Sequence, residues 1–179
     1  MNLSPLHGSV LAVCLKSEPG LPKYEVDAIQ LIEEMGVPGD YHAGKLIRHR
    51  YLEKRDPTRP NNRQVLLVDS SIYAGISARG IALKPGMLGE NVLLDGIEVM
   101  SLAIGARLEL GGALLELTEV RNPCYQLNEM HPDLLEAVTT GVDGQACRNA
   151  GMLARILRGG WVRPGDPVFV HSEPDPFKK

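Results

Sequence analysis

The stretch ARLELGGALLELTEV, Ala106 to Val120, decides the fold. It reads as two strands joined at Gly111-Gly112, a common hairpin signal. Working outward, the same reading recurs. Apolar runs of strand length between glycine or proline turns predict strands at Gly8–Leu15, Gln64–Val68, Glu90–Leu94, Arg107–Leu110, Leu114–Val120, Met152–Leu157 and Pro167–Val170. A further short strand is expected between the Gly159-Gly160 turn and the RPGD turn. Helical signals are few. Asp69 or Ser70 can cap SIYAGISARG, which ends at Gly80. HPDLLEAVTTG has a proline at a first-turn position and a glycine after its end. YEVDAIQLIEEMG fits either element: Val26, Ile29, Ile32 and Met35 make a helical stripe that Gly36 could cap, yet the segment is short enough for a strand. Many short strands with few helices imply a mainly β fold, a closed or partly open β-barrel, because closure removes exposed edges.

Composition agrees. The 179 residues suit one domain with a real core, placed here at about 10–170 with a polar tail over 171–179. Nineteen glycines and thirteen prolines favour turns over long helices, and scarce aromatics leave aliphatic side chains to fill the interior. A formal charge of −3 argues against a general nucleic-acid binder. No charged-then-apolar leader opens the chain and no apolar run is long enough to cross a bilayer, so a cytoplasmic protein is expected. There is no internal repeat and no linker.

Three cysteines without a CxxC fit neither a disulfide framework nor a four-cysteine zinc site. Cys14, inside a strand, reads as structural. Cys147, in GQACRNAG, reads less clearly. Cys124 is different. In TEVRNPCYQLNEM it comes after the break from an apolar strand into a polar loop, where anchored but exposed backbone tends to carry function. Pro123 restricts its approach, and Arg121 is close enough to favour a thiolate, the form that acts as nucleophile and metal ligand. Packing as a buried cysteine is the competing reading. GDYHAG and GENV form a second constellation, in which glycines let backbone N–H groups approach an anion. These runs carry Asp40, His42, Glu90 and Asn91, which as plain turn residues would instead bond their own backbone. A third feature is basic: Lys45, Arg48, Arg50, Lys54, Arg55, Arg59 and Arg63 are seven of the nineteen Lys and Arg, with only Glu53 and Asp56 against them. The stretch has no periodicity and is expected to be an irregular, mobile surface segment. Either it is simply solvated, or it recognises a phosphate-bearing small molecule or an acidic partner. HExxH, Walker, GxSxG and GxGxxG motifs are absent, and the histidines lack zinc-ligand spacing.

The order of the motifs adds a resemblance. GVPGDYHAG, RQVLLVD, KPGMLGENVLLDG, IGARLEL, LELTEVRNPCYQL and AGMLARILRGGWVRPGDPV, in that order, resemble the MOSC domain from about Val10 to Val170. This is the domain at the carboxyl end of molybdenum-cofactor sulfurases, also found as stand-alone bacterial proteins. Its most specific pieces here are R-x-P-C at Arg121–Cys124 and G-x-x-R-P-G-D at Gly160–Asp166. The resemblance implies a pyruvate-kinase-like barrel with a few short helices. It also implies a molybdenum–pterin cofactor, with Cys124 either ligating molybdenum or carrying sulfur as a persulfide. Arg121, Asn91, Glu90, His42, Asp40 and Arg63 would bind the cofactor. If the protein is an enzyme, the implied chemistry is sulfur transfer or molybdenum-dependent reduction of N-hydroxylated compounds. A cysteine desulfurase or a molybdoenzyme would be the partner.

The sequence lacks the pyridoxal-phosphate domain of the sulfurases, and its cysteines could not hold an iron–sulfur cluster. A non-catalytic binding module of the same fold is the alternative reading, and RNA binding through the basic stretch is a third.

Overall fold

The computed structural model describes residues 7–171. Of the polar tail expected over 171–179, His171 instead ends the last strand, and the rest lies outside the described residues. The Gly111-Gly112 hairpin forms as read: β6 (Arg107–Leu110) pairs antiparallel with β7 (Ala113–Val120), and Leu110 faces Ala113 across the two-residue turn. Side chains alternate along both strands. Leu108, Leu110, Ala113, Leu115 and Leu117 are buried, while Arg107, Glu109, Leu114 and Glu116 are only partly covered. A strand with one face on a core requires this period of two. On the outer face Glu116 takes Arg155 at 2.7 Å and Arg107 at 3.4 Å.

The hairpin is one part of a closed barrel. β10 (Pro167–His171), β6, β7, β8 (Met152–Arg158), β4 (Val65–Asp69), β5 (Val92–Asp95) and β1 (His7–Leu15) stand side by side in that order, and β1 closes on β10 to complete seven strands. All barrel pairs are antiparallel except β4–β5, whose parallel arrangement requires a crossover. Helix α2 (Ser70–Ser77) supplies it. Asp69 caps α2 by accepting the N–H groups of Ser71 at 2.9 Å and Ile72 at 3.3 Å, and its other oxygen takes Val99 N–H at 2.8 Å. The interior is aliphatic. Leu67, Leu94, Leu108, Leu115 and Leu117 are fully buried, each worth roughly 1.5–3 kcal/mol of transfer free energy.

The structure departs from the sequence reading in several places. YEVDAIQLIEEMG is neither one helix nor one strand. It forms β2 (Tyr24–Val26), which pairs with β1, then β3 (Ile29–Leu31), and ends in a turn. Ile29 and Leu31 are buried while Ile32 and Met35 are exposed, which is period two and not a helical stripe. The strand expected after Gly159-Gly160 is β9 (Gly160–Val162), and it pairs with the distant β3 rather than folding back on β8. Pro132 precedes helix α3 (Leu134–Thr139) instead of lying in its first turn. The strand expected from Glu90 begins at Val92, although the Asn91 backbone already bonds Leu66 O at 2.9 Å and Cys14 N–H at 2.8 Å. The basic stretch is not wholly irregular: α1 (Arg50–Arg55) forms within it, and a bridge between Leu46 and Pro60 draws its ends together.

Candidate functional site

Cys124 lies just beyond the end of β7. A register shift between Leu117 and Glu119 interrupts the β7–β8 ladder there. Bulges of this kind bend a strand and re-aim the residues beyond them. Arg121 N–H still bonds Gly151 O at 3.0 Å, so the chain stays anchored to the barrel up to the residue before Asn122-Pro123. Pro123 is buried and Cys124 is exposed, leading a turn of 3-10 helix over Tyr125–Glu129. Its thiol donates to Gln126 Oε1 at 3.6 Å. The other cysteines differ. Cys14 is buried in β1, and burial, with the charges of Glu90 and Glu25, pushes its thiol up to about 12. Cys147 is exposed, with its thiol 3.7 Å from Val138 O.

Cys124 opens into a cavity of about 160 Å³, which also receives Arg121, Asn91, His42 and Arg63. Five of the seven sequence-expected site residues therefore meet around one space. The other two, Asp40 and Glu90, do not line it. Both are buried: Asp40 bonds Lys23, Asn91 and His42 of the lining, whereas Glu90 bonds Gly86 and Tyr73 outside it.

Asp40 is the hub. Its carboxylate takes Lys23 Nζ at 2.8 Å, Asn91 Nδ2 at 3.1 Å and His42 N–H at 3.0 Å, and lies 3.4 Å from His42 Nδ1. Burial would raise this carboxyl, but the His42 hydrogen bonds and the Lys23 charge outweigh it and hold it well below the usual carboxylate range. Burial pulls Lys23 down, against the attraction of Asp40. Asn91 joins three chain segments: its Oδ1 accepts Leu66 N–H at 3.2 Å, and its Nδ2 donates to Cys14 O at 3.1 Å as well as to Asp40. Glu90 is fully buried. One oxygen accepts Gly86 N–H at 2.7 Å and the Tyr73 hydroxyl, while Oε2 has no partner.

The glycines of KPGMLGEN make this closeness possible. At Gly86, φ is +87°, and a Cβ would lie 2.1 Å from Lys23 O. At Gly89, φ is +85°, and a Cβ would lie 2.7 Å from Leu21 Cδ2 and 3.8 Å from Arg121 Nη2. Any other residue at Gly89 would strain the backbone and push Leu21 from the cavity wall.

The cationic groups differ in how they are neutralised. Lys23 has Asp40, and Arg63 has Glu119 at 2.6 Å. Among the described residues, Arg121 and Arg48 form no ion pair with a carboxylate. The Arg121 guanidinium reaches Ala150 O at 3.5 Å, and burial lowers it against the opposing pull of Cys124 and Glu90. Arg48 lies over the Tyr41 ring, 4.8 Å from its centroid. His49 also lines the cavity. Burial and the Arg63 and His42 charges pull it down, and its buried Nδ1 has no partner. Leu21, Ile47, Leu66 and Leu153 provide apolar wall.

Sequence reasoning missed Lys23, His49, Asn61 and Gln126. Lys23 stands in EPGLPK, which reads as a solvated loop, so nothing marked it. Asn61 lies at the end of the basic stretch, and its Nδ2 donates to His42 O at 2.9 Å and Gly44 O at 3.0 Å, fastening the GDYHAG loop. Its neighbours PNNR could have suggested a side chain that bonds backbone.

The family model of the MOSC domain matches residues 38–169, which span the GDYHAG loop, the cysteine turn and most of the barrel. The chain belongs to the MOSC domain family. No curated protein matches the sequence. The MOSC fold here resembles the crystal structure of the YuaD protein from Bacillus subtilis, with a TM-score of 0.79 at 23% identity over 96% of this chain and 99% of that one. It also resembles YiiM from Geobacillus stearothermophilus, with a TM-score of 0.67 at 19% identity over 92% of this chain and 75% of that one. For YiiM from Escherichia coli the TM-score is 0.62 at 21% identity, over 95% of this chain and 72% of that one. At these identities the likeness concerns the barrel. Among the described residues no helix is long and apolar enough to cross a membrane.

Proposed function

We propose that this MOSC domain binds a molybdenum–pterin cofactor in the cavity beside Cys124, whose sulfur either ligates the metal or carries a persulfide. The observation that carries this reading is the exposed Cys124 thiol in one cavity with Arg121, a guanidinium that meets no carboxylate among the described residues. An uncompensated, poorly hydrated cation favours an anion, and a thiolate is a soft ligand for metal or sulfur. The exposure of Cys124 also argues against its being retained for packing.

The residues fit the group in charge and in kind. Arg121 and Arg48 would meet phosphate and oxo groups, with Lys23 and Arg63 adding positive charge from within their ion pairs, His42 would meet a polar edge, Asn91 would fix the wall, and Leu21, Ile47 and Leu153 would flank a flat ring. The volume of about 160 Å³ is below the ~300–1,000 Å³ that encloses a whole ligand of cofactor size. The cavity would therefore hold one end of the molecule, with the remainder in the open mouth. Among the described residues no three His, Cys, Asp or Glu side chains are placed to hold a metal ion together. A metal at Cys124 would thus take its remaining ligands from the cofactor itself. When bound, the cofactor would supply the redox or sulfur chemistry. The chain's own residues would position Sγ at the rim, hold His42 through the Asp40 network and Arg121 through Ala150 O, and shield one end from water.

Expression in a host that makes the pterin cofactor tests the reading. Molybdenum and releasable pterin should approach one per chain and fall to background in Cys124→Ser. If the sulfur role is the operative one, a cysteine desulfurase with cysteine should place a persulfide on Cys124, detectable by mass spectrometry. No metal, no pterin and no persulfide would remove the reading.

A further inference from the structure

The basic stretch carries seven Lys and Arg against two acids, a net +5 in a chain of total −3, so the remaining residues sum to −8. The structure shows how this charge is held. The Leu46–Pro60 bridge, the bond from Ile47 N–H to Arg59 O at 3.0 Å and the bond from Asn61 N–H to Lys45 O at 2.9 Å pinch the segment into a neck. Ile47 and Asn61 are buried at that neck, and beyond it the segment projects as a strap containing α1.

The strap's charges are largely unspent. Among the described residues, Lys45, Arg48, Lys54, Arg55 and Arg59 form no ion pair with a carboxylate. Asp56, exposed, is engaged by Thr58, accepting its N–H at 3.0 Å and its hydroxyl at 2.7 Å. Leu46 and Tyr51 are exposed beside these cations, at 49% and 62%. Exposed aromatic and aliphatic groups among arginines are typical of protein interfaces, where they supply anchors. The strap is also continuous with the cavity: Ile47, Arg48 and His49 line it together with Cys124, and Tyr125, the next residue in sequence, is 67% exposed.

We propose that this strap is a docking surface for a protein partner with an acidic face, which seats across the cavity mouth and covers Cys124. The choice of a protein over a nucleic acid rests on the charge distribution. A local patch on an otherwise acidic molecule attracts a compact acidic face, whereas a long polyanion would also meet the net negative charge of the remaining residues. A cover is what the thiol requires if it exchanges a group with another protein, because its own cavity encloses only one end of a ligand. In that respect the inference rests on the function proposed above.

The test uses the full chain without metal, so that docking is measured whether or not a cofactor binds. A synthetic glutamate-rich peptide is the probe, with single-stranded DNA and anionic lipid vesicles as competitors. The peptide should bind with an affinity that falls as salt rises, and saturating peptide should slow alkylation of Cys124 but not of Cys147. The triple variant Lys54→Glu, Arg55→Glu, Arg59→Glu should weaken binding at least about tenfold while inorganic phosphate still protects Cys124. Arg48 stays unchanged because it lines the cavity. Should the reversed charges disturb folding, the Gln triple variant with an unchanged melting temperature serves the same purpose. Equal binding by the variant, unchanged Cys124 labelling in the complex, or tighter strap-dependent binding of DNA or vesicles would each overturn the proposal.

Discussion

Behind the cavity, Asp40 is 6% exposed and meets Lys23, Asn91 and the His42 backbone within 3.1 Å. At the mouth, Cys124 is exposed and its thiol has one weak partner, Gln126, at 3.6 Å. The two regions are neighbours, yet they answer to different physics. In the wall, the polar groups of Asp40 and Asn91 are held because leaving them unpaired in low dielectric would be costly. At the rim, side chains are left available to solvent and to a ligand. The difference teaches that stability and chemistry are separated by a few ångströms here, and that mutations should separate them too.

The largest effect is expected from Asp40→Asn. It leaves the Lys23 ammonium, 6% exposed, without its countercharge. Breaking a buried pair by removing one partner costs about 3–5 kcal/mol, read here as a lowered urea midpoint. The same site gives a pH signature. The folded carboxyl lies below its ordinary value, so its contribution is complete above about pH 4 and is lost as pH falls further, while the unfolded chain is protonated first. Stability of the native sequence should therefore fall more steeply below pH 4 than that of Asp40→Asn. A variant as stable and as acid-sensitive as the native protein would break the comparison between wall and rim.

Asn91→Leu comes next. The replacement is close in size but leaves Leu66 N–H and Cys14 O without their side-chain partner and removes one donor from Asp40. An unsatisfied buried group costs about 1–3 kcal/mol, so destabilisation should fall in that range or somewhat above it. Hydrogen exchange at the Leu66 amide should accelerate beyond what global unfolding explains. Unchanged exchange there would mean that the wall does not depend on this link.

Legibility in the sequence divides along the same line. The Gly111-Gly112 hairpin and the strands around it were legible, because their signals are local: short apolar runs and turn residues. β3 and β9 were hard to place because each has three residues and takes its meaning from a distant partner, as Gln30 does from Trp161, while β2, also three residues long, pairs with the neighbouring β1 across a short loop. At the candidate site, R-x-P-C, GDYHAG and GEN marked loops that meet around the cavity, since glycine and proline record where backbone must turn or approach closely. They did not record which side chains turn inward. Asp40 and Glu90 therefore read as cavity lining although both are buried and neither lines it. Lys23 went unread because a lysine after Leu-Pro is usually solvated, and only the folded Asp40 carboxylate explains its burial.

The smallest effect on stability, and the sharpest on chemistry, is expected at Cys124. Cys124→Ser replaces an exposed side chain whose one hydrogen bond among the described residues is to Gln126, so its stability should stay within about 0.5 kcal/mol of the native protein. Reactivity should behave in the opposite way. Cys14 is both inaccessible and pushed up to about 12, so at pH 8 only about one molecule in ten thousand would carry its thiolate. Iodoacetamide should therefore modify Cys124 in the native state while Cys14 reacts only on unfolding. Cys147 supplies the control that exposure alone does not, because it too is exposed but does not line the cavity. If the cavity is an anion site, inorganic phosphate should slow labelling of Cys124 and leave Cys147 unchanged, and Arg121→Gln should abolish that protection without altering the labelling of Cys147. Equal protection of both cysteines would make the effect one of bulk salt, and a Cys124→Ser protein that mainly unfolds would move this residue from the rim to the wall.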